Sequence, residues 1–105
     1  MRSTLMAALA LGGFMAAATP AAADVTLARK NGCMACHAVN MKMVGPAYAD
    51  VAKKYKGDSK APAMLATKIQ KGGKGVWGPA MMPPHPRLSN EDALKLAKWI
   101  LAGAQ

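Results

Sequence analysis

Two cysteines and a histidine stand close together and carry the clearest chemistry of this sequence. Cys33 and Cys36 are separated by two residues, and His37 directly follows the second cysteine. Such a pair can serve a redox disulfide, a zinc site or a covalent haem attachment. A thioredoxin-like disulfide is disfavoured because no βαβ pattern surrounds the pair. A zinc site is disfavoured because no second Cys or His pair occurs at suitable spacing.

Haem attachment accounts for all three residues. Each thiol adds to one vinyl group of the macrocycle to form a thioether, and the adjoining histidine then lies under the iron. We therefore predict one haem c per chain, bound covalently through Cys33 and Cys36, with His37 as the proximal ligand. The other ring nitrogen of His37 should donate a hydrogen bond, usually to a backbone carbonyl.

The far side of the iron decides between ligand chemistry and electron transfer. An open position permits ligand binding, whereas a second strong ligand favours electron transfer. The candidate ligands are six methionines and one histidine: Met34, Met41, Met43, Met64, Met81, Met82 and His85. The first three lie too near His37 along the chain to round the macrocycle, and Met64 is expected to fill the core. Met81 and Met82 follow His37 by about 45 residues, and composition alone does not choose between them.

Helical patterns surround these residues, and strand-like alternation is absent. We predict short helices over residues 25–31 and 48–55. A third helix has Pro62 in its first turn and stops at Gly72, and a fourth starts at Ser89. Residues 72–88 hold four glycines and four prolines, so they form a loop, which we call the methionine loop. The predicted fold class is all-α, with about four short helices.

The first 23 residues differ from the rest of the chain. Arg2 is followed by an apolar run over residues 5–18, a Thr19-Pro20 break and three alanines. This order is typical of a secretory signal peptide, and we predict cleavage before Asp24, which leaves residues 24–105 as one exported domain. A retained membrane anchor is the alternative, but the apolar run is shorter than the ~20 residues that a spanning helix needs.

The exported domain is strongly basic. Loss of Arg2 leaves 13 of the 14 basic residues against five acidic ones, a net charge of +8. Such a field steers a protein toward acidic partners and makes association weaken with salt. No nucleic-acid motif or interleaved aromatic pattern accompanies the charge, so we expect no nucleic-acid partner. With so few aromatic residues, the small domain would depend on its covalent haem for stability.

Several longer motifs occur in a fixed order along the chain. They are GCMACH at residues 32–37, KMVGPAY at 42–48, GVWGP at 75–79, MPP at 82–84 and LAKWIL at 96–101. Their order resembles the bacterial cytochrome c-551/c-552 family, which are small class I monohaem cytochromes c. The resemblance covers nearly all of the exported domain, and it implies the class I cytochrome c fold, in which the first and last helices cross and pack.

The resemblance also implies a function and its partners. Members of this family are soluble periplasmic one-electron carriers, not enzymes. They receive electrons from quinol-oxidising complexes and pass them to nitrite reductases, peroxidases or terminal oxidases. We therefore expect a monomer that docks briefly on acidic-surfaced redox proteins and has no stable membrane association. The alternatives are an enzyme or gas sensor whose iron opens, and a bound subunit of a larger reductase.

Specific site residues follow from the resemblance. Met82, which directly precedes the Pro-Pro pair, matches the family's axial methionine. Pro46 matches the residue whose carbonyl accepts the ring N–H of His37. Trp77 matches a residue whose indole N–H bonds a haem propionate.

Two of the departures from the family pattern, Lys68 and His85, concern the predicted haem site. Lys68 stands where close relatives often carry an arginine that holds a propionate, and an ammonium cannot reproduce the planar arginine contact. His85 stands where relatives often have an asparagine near the methionine sulfur. Competition between His85 and Met82 for the iron is therefore an open alternative.

Overall fold

The computed structural model describes residues 20–105, so most of the predicted signal peptide lies outside the described residues. Four helices follow one another along this part of the chain: α1 (Pro20–Lys30), α2 (Tyr48–Lys54), α3 (Ala61–Lys71) and α4 (Asn90–Leu101). A single 3₁₀ turn covers Cys33–Ala35. Within residues 20–105, β pairing is confined to an isolated bridge between Gly73 and Met82. The predicted all-α class is confirmed.

The helix ends follow from local sequence chemistry. α1 begins five residues earlier than predicted, because proline is favoured in a first turn and the following alanines have the highest helix propensity. α3 carries Pro62 in its first turn, as predicted, and ends where Gly72 adopts a φ of 71°. α4 begins after Ser89, whose hydroxyl oxygen accepts a hydrogen bond from the Asp92 backbone N–H.

The core forms along one face of α4. Leu96 is 1% exposed, and Ala93, Ala97, Trp99 and Ile100 are also buried. This face contacts α1, α2 and α3, with α3 as its main neighbour. The implied packing of the first helix against the last is thus present. None of the helices in residues 20–105 is long and apolar enough to cross a membrane.

The Ser89 cap gives a direct test of how α4 is held. Ser89→Ala removes the acceptor for the Asp92 N–H, so we expect a loss of about 1 kcal/mol in the free energy of unfolding. Guanidinium unfolding of the holoprotein measures it. The matched control is Ser59→Ala, at an exposed turn residue that caps no helix, with an expected change within about 0.5 kcal/mol. Equal losses in both variants would contradict the capping role.

Candidate functional site

The Cys-Cys-His segment folds into one tight turn directly after α1. Gly32 adopts a φ of 73°, which turns the chain out of the helix. The carbonyl of Cys33 then accepts hydrogen bonds from the backbone N–H groups of Cys36, at 3.2 Å, and His37, at 3.0 Å. The two cysteines are not joined in a disulfide. This turn directs both sulfurs and the imidazole toward one cavity.

The imidazole of His37 is held by the backbone of the segment that follows it. Its Nδ1 lies 2.8 Å from the carbonyl oxygen of Pro46, the acceptor implied by the family resemblance. Because a carbonyl oxygen only accepts hydrogen bonds, Nδ1 carries the proton and Nε2 presents its lone pair. The Gly45 N–H donates to the Cys36 carbonyl at 2.8 Å, which keeps Pro46 beside the ring.

Gly45 leaves the space that the imidazole occupies. A Cβ at this position would collide with Cε1 of His37 and would lie 2.8 Å from its Nδ1. The φ of Gly45 is not positive, so the backbone itself does not require glycine. Steric contact with the ring is therefore the reason for glycine at this position.

Two aromatic rings connect the imidazole to the helical core. Tyr48, the first residue of α2, stacks on His37 with ring centroids 5.1 Å apart and an interplanar angle of 18°. Trp99 of α4 meets Tyr48 edge-on at 5.4 Å. The indole Nε1 of Trp99 is buried without a hydrogen-bond partner, so packing positions this ring. The orientation of His37 thus depends on the contact between α2 and α4.

Tyr48 also reaches the first cysteine. Burial raises the pKa of the Cys33 thiol, and hydrogen bonds from its own backbone and from the Tyr48 hydroxyl partly offset this rise. Burial, followed by the neighbouring Cys33 sulfur, raises the pKa of the tyrosine well above its usual value. Tyr48 therefore stays a neutral O–H donor. A thioether sulfur keeps a lone pair, so this contact can persist after haem attachment.

The methionine loop is tied to the end of α3. Met82 and Gly73 exchange two backbone hydrogen bonds, of 2.8 and 3.1 Å. A Cβ on Gly72 would collide with the carbonyl oxygen of Met82 and would lie 2.9 Å from the nitrogen of Pro84. Gly72 thus allows close approach of the loop segment that carries Met82.

His85 holds the other end of the same segment. Its Nδ1 lies 3.0 Å from the carbonyl of Ile69, and its backbone N–H donates to the carbonyl of Gln70 at 3.0 Å. The Gln70 amide in turn donates to the carbonyl of Leu88 and to the side-chain oxygen of Asn90. The last turn of α3 therefore binds the loop and the start of α4 together.

One cationic side chain lies over an indole that lines the cavity, and a second lies beside Gly73. Trp77 is 39% exposed, and the ammonium of Lys54 lies 5.6 Å from the centroid of its ring. The ammonium of Lys68 reaches into the space beside Gly73, 2.7 Å from where a Cβ of that residue would be. Lys54 is a residue that the sequence analysis missed, because no local pattern places α2 opposite the methionine loop.

A cavity of about 310 Å³ lies between these elements. It is lined by all seven residues predicted for the site: Cys33, Cys36, His37, Pro46, Lys68, Trp77 and Met82. Its remaining lining includes the apolar side chains of Leu65, Ile69 and Leu96. Two thiols, an imidazole and a thioether around an apolar cavity are the groups that a covalently attached haem requires, so the residues fit the cofactor.

The structure corrects the placement of one methionine and shows that Met81 and Met82 differ in exposure. The sequence predicts Met64 in the core, but this residue is 36% exposed and lines the cavity, because it lies on the same face of α3 as Lys68, which also lines it. Met81 also lines the cavity but is 67% exposed, whereas Met82 is half-buried.

Comparisons with known proteins agree with this geometry. The family model described as cytochrome c matches residues 21–104. Cytochrome c-551 of Pseudomonas aeruginosa is 47% identical over 98 residues, which cover 93% of each chain. Cytochrome c-552 of Hydrogenobacter thermophilus is 55% identical over 80 residues, covering 76% of this chain and 81% of the relative.

A solved structure extends the similarity to three dimensions. The crystal structure of Nitrosomonas europaea cytochrome c552 superposes with a TM-score of 0.73 at 49% identity. The match covers 75% of this chain and 98% of that one. The all-α fold is thus the class I cytochrome c fold. The chain belongs to the cytochrome c family of electron carriers and binds one haem c covalently through Cys33 and Cys36.

Proposed function

We propose that this chain is a periplasmic one-electron carrier in which His37 and Met82 are the two axial ligands of the iron. The observation that carries the proposal is that one cavity holds both side chains and that backbone hydrogen bonds fix both segments. Haem c, when bound, supplies a one-electron ferric–ferrous couple. The protein supplies the ligands, an apolar enclosure and a charged rim.

The role of His37 is to present one defined nitrogen. Since Nδ1–H is committed to the Pro46 carbonyl, Nε2 is the atom available to the iron. The same hydrogen bond and the stacking on Tyr48 both restrict rotation of the ring. These contacts support His37 as the proximal ligand and Pro46 as its orienting acceptor.

Met82 is supported as the second ligand by its fixed backbone. A thioether is a weak ligand, so it remains bound only if little freedom is lost on binding. The paired hydrogen bonds with Gly73 and the two prolines that follow Met82 restrict it before it binds. Met81 has no such restraint and is mostly exposed.

Trp77 and Lys68 are supported as partners of the haem carboxylates. Both line the cavity, and the indole N–H and the ammonium could each donate to a propionate oxygen. Lys54 lies over the ring of Trp77 and limits its movement. Lys68 acts here as a point charge beside the propionate.

The strong positive charge favours acidic partners. We propose acidic-surfaced redox proteins: a quinol-oxidising complex as the donor, and a nitrite reductase, peroxidase or terminal oxidase as the acceptor. Lys68 and Lys74 line the cavity and would contribute to docking. We further propose that the signal peptide of residues 1–23 is removed on export and that the mature domain is a soluble monomer.

A ligand pair that closes the iron favours a carrier over a catalyst. Catalysis or gas binding would need an open position and a nearby acid–base group, and His85 is the other histidine of the chain. Its ring is hydrogen bonded to the end of α3. The chain is therefore proposed not to be an enzyme.

The choice between the two adjacent methionines is directly testable. Met82→Ala should abolish the sulfur-to-iron charge-transfer band of the ferric holoprotein and allow rapid carbon monoxide binding to the ferrous form. It should also lower the reduction potential, by on the order of 0.1 V within the ~0.8 V range set by axial ligands. Met81→Ala, the matched control, should leave all three unchanged. Loss of the band in Met81→Ala instead would assign the ligand to that residue.

Gly45→Ala tests the steric fit of the imidazole. The added methyl group collides with the His37 ring, so we expect an altered ferric spectrum and a stability loss of about 1–3 kcal/mol. The control is Gly57→Ala, at a φ of 79° with open space around it, which should lower stability through backbone strain and leave the spectrum unchanged. A normal spectrum in Gly45→Ala would refute this arrangement around His37.

The proposed electrostatic steering predicts opposite salt effects for two small oxidants. Between about 10 mM and about 1 M salt the Debye length falls from about 30 Å to about 3 Å. Oxidation of the reduced holoprotein by an anionic iron cyanide complex should slow over this range. Oxidation by a cationic cobalt complex should become faster. Stopped-flow absorbance measures both rates, and salt-independent rates would exclude a positive field at the haem edge.

A further inference from the structure

The last turn of α3 leaves carbonyl groups that need donors from elsewhere. A helix cannot satisfy its last four carbonyls from within, and Ile69 and Gln70 belong to this group. His85 satisfies both, with its ring Nδ1 for Ile69 and its backbone N–H for Gln70, each at 3.0 Å. One residue of the methionine loop therefore caps the end of α3 twice.

The tautomer of His85 follows from its acceptor. Because the carbonyl of Ile69 only accepts, Nδ1 must carry the proton. The ring thus acts as a hydrogen-bond donor at the negative end of the helix dipole. A side chain without a donor would leave the carbonyl of Ile69 without this partner in a partly buried place.

The residues between Met82 and His85 link this cap of α3 to the position of Met82. Pro83 and Pro84 lack backbone N–H groups, and so does Pro86, so within residues 83–86 His85 is the one residue that can donate from its backbone. The proline rings also fix two φ angles between Met82 and the cap. The backbone of Met82 is therefore held by Gly73 on one side and, through a stiff link, by His85 on the other.

We propose that His85 is a positioning residue, which holds the Met82 segment against α3 and thereby keeps the thioether on the iron. This inference rests on the proposed ligand role of Met82. It assigns His85 a function distinct from iron ligation: the two hydrogen bonds to α3 hold the loop, and the Nε2 of this cavity-lining residue takes no part in the cap. The carbonyl of His85 also accepts from the Leu88 N–H at 3.2 Å, which extends the same cap toward α4.

Two substitutions separate this role from ligation. The Nδ2 of an asparagine lies at the same reach from the backbone as the histidine Nδ1, so His85→Asn keeps a donor for Ile69 and removes Nε2. His85→Leu removes both. The rate of carbon monoxide binding to the ferrous holoprotein reports how often Met82 leaves the iron. We expect a rise of about five- to tenfold in His85→Leu, the equivalent of one lost hydrogen bond, and a rate near that of the unmodified protein in His85→Asn.

A general loss of stability must be distinguished from a specific effect on Met82. Ser89→Ala weakens α4 without touching the methionine loop hydrogen bonds to α3, so it should leave the carbon monoxide rate unchanged. The positioning role is refuted if carbon monoxide binds His85→Leu no faster than Ser89→Ala. It is also refuted if the binding rate rises as much in His85→Asn as in His85→Leu. A normal charge-transfer band in Met82→Ala would instead refute the ligand role itself.

A measurement on the unmodified holoprotein keeps the inference testable if His85→Leu does not fold. Nitrogen-15 NMR of the reduced protein at neutral pH resolves the two imidazoles. We expect His85 as the Nδ1–H tautomer, with that proton slow to exchange. An Nε2–H tautomer, or a rapidly exchanging Nδ1 proton, would overturn the cap.

Discussion

The hydrogen bond from His37 to the carbonyl of Pro46 is the contact on which the rest of the site depends. It fixes which ring nitrogen is free, and it fixes the plane of the ring relative to the two cysteine sulfurs. The neighbouring residues favour this orientation of the imidazole, because Gly45 leaves space for the ring and Tyr48 stacks on one of its faces. The helical core supports the arrangement through Trp99.

The methionine side of the cavity solves a different physical problem. His37 directly follows Cys36, whose covalent bond to the haem keeps the imidazole close to the cofactor. The side chain of Met82, some 45 residues further along the chain, is held only by the loop. The loop is therefore anchored at Gly73 and at His85 and stiffened by prolines between these anchors. Both anchors use the end of α3. The helix that packs most extensively on α4 thus also restrains Met82, the proposed second ligand.

The parts that sequence predicts well are those fixed by local chemistry. The Cys-Cys-His spacing alone indicated the cofactor, and Ser89 indicated the start of α4 through its cap. The helical periodicity gave the number and order of helices, although α1 begins earlier than its apolar pattern suggested. These features depend on neighbours within a few residues, so they are visible before the chain is folded.

The parts that sequence did not predict depend on how α2 and α3 are placed against the loop. Met64 lines the cavity and does not belong to the core. Lys54 lies over the ring of Trp77, a contact between distant parts of the chain that helical periodicity does not reveal. His85 was notable only as a departure from the family pattern, and its bond to Ile69 joins residues 16 positions apart. Such contacts are set by tertiary packing, which composition and spacing do not specify.

X-ray absorption at the iron edge of the holoprotein tests the closed His37/Met82 site most directly. In both oxidation states we predict six ligands, five nitrogens and one sulfur, because both axial side chains are held before an electron arrives. An iron with six nitrogen ligands, or a five-coordinate iron in either state, would contradict this arrangement.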